Sequence, residues 1–137
     1  MKNAWAFAWG MVFALCAFAK DVQVANFDPA RLHLIGSSCT FDRKTRETVL
    51  ASDWAGKFWM KVDGKVIELV SHTSDREAEQ QLAGKRWHEV LTQDDLIVEL
   101  SLVETGRGED SVAYTGYLEV KRLGSSARIP VTGGCGA

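Results

Sequence analysis

The sequence predicts an all-β protein, a small antiparallel up-and-down barrel or curled meander of seven or eight strands with one short helix or structured loop. Three observations carry that expectation. Runs that alternate apolar and polar residues recur between closely spaced turn signals. Asp63-Gly64 separates two such runs, and an Asp-Gly pair is the strongest local hairpin signal because a type I′ turn needs positive φ at both central residues. Cys39 and Cys135 stand 96 positions apart, so a bridge between them ties the last strand to an early one. A two-sheet sandwich is the alternative architecture.

The elements follow in chain order. The opening "MKNAWAFAWGMVFALCAFA" has Lys2, an apolar stretch from Ala4 to Phe18, and the small-x-small triplet Ala17-Phe18-Ala19, the order of a secretory signal cleaved after Ala19. It is short for a spanning helix, which needs ~20 apolar residues. Cys16 follows the bulky Leu15, unlike the small residue before a lipoprotein cysteine. Residues 1–19, with Trp5, Trp9 and Cys16, are therefore expected to be a signal peptide, and residues 20–137 a single β domain.

"RLHLIG" with "SSCTFD" reads as one interrupted strand region and "RETVLAS" as another. "KFWMKV" sets Phe58, Met60 and Val62 against Lys57, Trp59 and Lys61, and "KVIELV" follows the Asp63-Gly64 turn. In "SDREAEQQLAGK", Ser74 and Glu77 fit a capping box, Ala78 to Leu82 are acceptable helix formers, and Gly84 is a stop. A second hairpin is expected at Asp94-Asp95, between "RWHEVLT" and "LIVELSLVE". There Leu96, Val98, Leu100 and Leu102 share one face, and Ile97, Glu99, Ser101 and Val103 a wetter one. "ETGRGED" is a loop by composition. "SVAYTGYLEVKRL" puts Val112, Tyr114, Gly116, Leu118 and Val120 on one side, with Gly116 marking a bulge or sharp bend. In the closing "ARIPVTGGC", Pro130 cannot donate to a ladder, so that strand is expected at an edge or bulged there.

Without the first nineteen residues the chain carries 15 basic and 18 acidic side chains. That balance argues against a nucleic-acid surface, which should be basic, and it supplies no polybasic membrane patch. No later stretch is apolar enough to span a membrane. Only Cys39 and Cys135 remain, an even pair expected to form one disulfide in an oxidising compartment. Neither lies in a C-x-x-C, so a redox or metal role has no motif behind it.

Catalytic patterns are missing. There is no G-x-S-x-G, and Ser71 and His72, neighbours on a strand, point to opposite faces. His33, His72 and His88 are scattered without metal-ligand spacing. Asp94-Asp95 and Glu109-Asp110 sit in expected turns without a D-x-D-x-D-G pattern. Gly106 and Gly108 precede a strand, where a phosphate cradle would precede a helix. The expectation is a protein without enzymatic activity, cofactor or metal. Among Trp54, Trp59 and Trp87, Trp59 shares its strand face with Lys57 and Lys61. It is either a contact anchor or a ring lying across a cross-strand neighbour.

In outline, "SSCTF" through "DGKVIELVSHTS" and the final "GGCGA" resemble the small periplasmic inhibitors of c-type lysozyme. The shared features are an early-strand cysteine, an early hairpin and a late cysteine. The resemblance implies an exported barrel and an inhibitor-like binding role. That family's Ser-Ala-Ser-Gly-x-x-Tyr loop is met here by "LVSHTSDREAE", which offers Ser71 and Ser74 without the Gly or the Tyr, and no site residue is carried over. The functional expectation is thus a periplasmic, non-enzymatic binding module that engages a protein or envelope ligand through its loops. The contact is expected from residues 71–85, with Ser71, His72 and Ser74, and from Trp59. A structural envelope protein without a soluble ligand and a small-molecule carrier are the alternatives.

Overall fold

The computed structural model describes residues 21–53, 55–73 and 84–136. Its nine strands are β1 (Val24–Ala25), β2 (Ser38–Asp42), β3 (Thr48–Asp53), β4 (Lys57–Val62), β5 (Lys65–Ser71), β6 (Arg86–Gln93), β7 (Leu96–Arg107), β8 (Ser111–Arg122) and β9 (Ser125–Gly136). Each of β2 to β8 pairs antiparallel with the next, and β9 returns to pair with β2, so eight strands form a closed up-and-down barrel with β1 as an extra strand. The barrel reading is correct, and closure leaves no separate second sheet. The only helical element among the described residues is a 3-10 turn over Pro29–Leu32, where the Asp28 carboxylate accepts from Ala30 N. Several expectations lie outside the described residues: the signal segment with Trp5, Trp9 and Cys16, the Ala19/Lys20 cleavage point, Trp54, and the helix or structured loop at Ser74, Glu77 and Leu82.

The interior follows from period-two alternation. Phe41, Leu50, Met60, Leu69, Leu91, Val98, Leu100, Leu118 and Val120 point inward and have no exposed surface. With eight strands the interior is just wide enough for side chains to fill, and bulky residues at every level fill it. Between β2 and β3 the register slips after Phe41↔Leu50 to Asp42↔Thr48. The slip leaves Val49 as an extra residue, buried beside Leu50.

Turn chemistry explains the hairpins. Asp63 and Gly64 take φ of 50° and 84°, as a type I′ turn requires. Asp94 takes 50° in the tight connection that sets Gln93 opposite Leu96. The β8–β9 connection uses Leu123 and Gly124 at 45° and 83°. The "ETGRGED" segment is not all loop. β7 runs on to Arg107, and its register against β8 shifts between Glu104 and Gly106.

Gly116 stays in regular register opposite Leu102, so no bulge stands there, and the two strands approach closely at this position. A Cβ on Gly116 would fall 1.9 Å from Ser101 O, so any larger residue would push β7 and β8 apart. Gly133 has the same role at the closing seam, where its Cβ would meet Thr40 O at 2.1 Å and Phe41 Cα at 2.8 Å. Pro130 belongs to a strand paired on both sides overall, but β2 ends at Asp42↔Thr132. At Pro130, β9 is therefore accompanied by β8 alone, and the missing N–H costs no ladder bond on the β2 side.

Cys39 and Cys135 are register partners across that seam and form a disulfide with 4.0 Å between Cα atoms. At the opposite end β3 and β4 part after Ala51↔Trp59, and the N-terminal arm enters the gap. Val24 and Ala25 pair with Val62 and Lys61 of β4, and Phe27 N donates to Thr48 O of β3 at 3.0 Å. Asp63 N donates to Gln23 O at 2.9 Å and Arg43 Nη2 to Val24 O at 2.8 Å. The arm thus completes the wall, and buried Val22 closes this end of the core. No helix among the described residues is long and apolar enough to cross a membrane.

Candidate functional site

At the disulfide end the inward row of β6 carries Trp87, Glu89 and Leu91. Glu89 is a buried carboxylate in an otherwise apolar row, and it persists because donors meet it. Ser71 Oγ donates to Glu89 Oε2, and Trp87 Nε1 donates to Oε1 at 2.9 Å. Thr73 N donates to Ser71 Oγ at 3.2 Å, fixing the start of the loop after β5. The Trp87 ring lies 5.7 Å from Phe41, 6.3 Å from Phe58 and 5.4 Å from Tyr114, which makes an aromatic layer under the polar group. On β7, Arg107 donates through Nε and Nη2 to Glu104 at 2.9 and 3.2 Å. This bidentate pair holds the Glu104 carboxyl below the usual glutamate range. Burial, and then the Glu104 charge, push the Tyr114 phenol up.

Of the residues singled out in the sequence, Ser71 faces inward to Glu89, and His72 faces out. The His72 ring Nε2 lies 2.6 Å from Thr92 Oγ1 on the outer wall of β6, so Ser71 and His72 form no nucleophile–base pair. Ser74 lies outside the described residues. Trp59 is half-buried on the outer wall of β4, opposite Glu68 of β5 and fully buried Ala51 of β3. Lys57 and Lys61 flank it, opposite Val70 and Val66.

The β4–β5 hairpin therefore presents one outer face made of two rows, Lys57-Trp59-Lys61 and Val70-Glu68-Val66, which His72 extends. Val66 is 46% exposed and Val70 58%. The lysine stems and the Trp ring border apolar surface that the core leaves uncovered. The structure thus brings Trp59 and His72 to one wall and sends Ser71 into the barrel. The valines were missed in the sequence, although "KVIELV" is apolar on both of its faces, the signal that could have found them. Glu89 was missed too, although it is the charged residue in the apolar register of "RWHEVLT".

The acidic pairs Asp94-Asp95 and Glu109-Asp110 sit in a turn and a bend, apart from this face. Among the described residues no group of three or more His, Cys, Asp or Glu side chains is placed to hold a metal ion. No family model, no curated protein and no solved structure matches the chain.

Proposed function

We propose that this chain is an exported, non-enzymatic binding module that engages a macromolecule of the cell envelope with the outer face of the β4–β5 hairpin and the loop leaving it at His72. The observation that carries the reading is Val66 and Val70, exposed beside Trp59 on a wall whose inner side is fully packed. A rigid sheet with an aromatic anchor, an apolar strip and a lysine rim has the anatomy of a protein-contact surface. Export is supported by the signal-like opening and by the Cys39–Cys135 disulfide, which persists in oxidising compartments. The bulky interior argues against a carrier that uses the barrel lumen. In the inhibitor-like form of this reading the loop enters a partner's cleft. Ser71 Oγ is already engaged by Glu89, which leaves His72 and the residues after it to make the contact.

The test is capture from envelope extract by the oxidised protein, with lysozyme included as a purified candidate. Any protein recovered is identified by mass and re-measured in pure form. Val70→Asp changes an outward side chain and is expected to abolish capture without lowering the melting temperature. Retention of the partner by Val70→Asp and by a Trp59→Ala variant would remove the hairpin face from the reading. Failure of every envelope component to bind would favour a structural role.

A further inference from the structure

The arm that enters the wall leaves a groove of 680 Å³ between itself, the β2–β3 turn and the outer side of the β4–β5 hairpin. That lies within the range of about 300–1,000 Å³ typical of small-molecule sites. Its apolar lining includes Phe27, Leu32 and Val66, and its cations are Arg31, Arg46 and Lys61. The cations come from three separate segments, the 3-10 turn, the β2–β3 turn and β4. None of the three is in an ion pair among the described residues. Two carboxylates also line the groove, and Asp28 already accepts the Ala30 amide, so the lining carries one net positive charge.

Arg46 is placed by its turn. It closes the β2–β3 connection, its N donating to Arg43 O at 2.9 Å, at φ 66°, a left-handed turn conformation that this chain also uses at Asp63, Asp94 and Leu123. That turn sets Arg46 in the groove lining with Arg31 and Lys61.

We infer that this groove is a binding site for an anionic amphiphile, a small molecule with one carboxylate head and an apolar chain. The guanidinium groups of Arg31 and Arg46 match a planar carboxylate, with Lys61 as a further point charge, and the chain lies along Phe27, Leu32 and Val66. Three cations and two carboxylates in the lining leave one net positive charge, which suits a monoanion better than a dianion. The inference goes beyond the macromolecular contact proposed above, with which the groove shares Lys61 and Val66.

The probe is decanoate, titrated into the oxidised protein and followed by amide chemical shifts and calorimetry. Saturable binding is expected, with shifts at Phe27, Arg46, Thr48, Lys61 and Val66. Decanol, decyl phosphate and decyltrimethylammonium should each bind more weakly than decanoate. Arg46→Gly removes the charge and relieves the left-handed turn. It should therefore weaken decanoate binding by about tenfold or more while leaving the melting temperature equal or higher. Arg31→Gln should weaken it in the same direction. The inference is overturned if decanoate shows no saturable binding up to about 1 mM, equivalent to only about −4 kcal/mol. It also fails if decanol or the cationic probe binds as well, if the shifts map elsewhere, or if Arg46→Gly keeps full affinity. Tighter binding of decyl phosphate would overturn the carboxylate assignment.

Discussion

Replacing Gly133 with alanine adds one methyl group to the closing seam of the barrel, and the structure sets the cost. The new Cβ would sit 2.1 Å from Thr40 O and 2.8 Å from Phe41 Cα, both backbone atoms of the paired strand. Side-chain rotation cannot relieve such an overlap, so β2 and β9 must separate locally. Five register pairs join these strands, and Gly133 lies next to their midpoint, opposite Phe41. Overpacking costs about 1–3 kcal/mol, and each hydrogen bond lost adds about 1 kcal/mol. We expect a loss of about 3 kcal/mol, a substantial part of the roughly 5–15 kcal/mol that holds a domain folded. For a domain of this size that is a fall of roughly 10 °C in melting temperature. Urea denaturation of the oxidised protein, followed by far-ultraviolet circular dichroism, measures it. Gly136→Ala is the control. Its Cβ meets nothing nearer than 3.6 Å, and its effect should stay within about 0.5 kcal/mol. A loss below about 1 kcal/mol for Gly133→Ala, or equal losses for the two variants, would refute closure by close backbone approach.

Removing the bridge with Cys39→Ala and Cys135→Ala together frees a tether spanning 96 residues. It should lower stability by up to about 4–5 kcal/mol while the folded fraction keeps its strand content by circular dichroism. Leu123 is 77% exposed at φ 45°, so Leu123→Asn should raise the denaturation midpoint by the equivalent of about 0.5–1 kcal/mol; a lower midpoint would mean that Leu123 makes a packing contact. The Glu104 carboxyl is held below its usual value of 4.5 by Arg107, so its contribution is present above that pH and is lost as pH falls through the depressed folded value. Glu104→Gln should therefore flatten the acid limb of a melting-temperature profile below about pH 4.5 and leave its neutral shape unchanged.

Where the fold was legible, one short stretch contained the whole physical reason. Asp63-Gly64 announces its hairpin because only a few residue pairs tolerate two positive φ angles in succession. The β4 and β7 runs announce their inward faces because alternation is enforced by the pleat. Leu123-Gly124 makes a similar turn unannounced, since leucine is not a turn residue. Gly116 was legible as a special position, but the reason for it, Ser101 O on the neighbouring strand, lies fifteen residues away in sequence. The arm at Val24–Ala25 has too little periodicity to reveal that β3 and β4 part to admit it. The candidate face was half legible. Trp59 and its lysines share a strand and a period, whereas Val66 and Val70 join them only through the hairpin register. Ser71 looked available on a loop, and only the register of β6 shows that it turns inward to Glu89.

The central claim is that the outer face of the β4–β5 hairpin, and not the barrel wall in general, meets a macromolecule. Site-specific photo-crosslinking in cells tests it most directly, with a benzophenone side chain placed at Val70 in one variant and at Thr115 in another. Both positions are exposed on the outer wall, Val70 on β5 and Thr115 on β8 across the barrel from the β4–β5 hairpin. The account predicts one discrete, competable adduct from Val70 and none from Thr115. Equal adducts from both positions, or none from Val70 in a cell that exports the folded, oxidised protein, would contradict it.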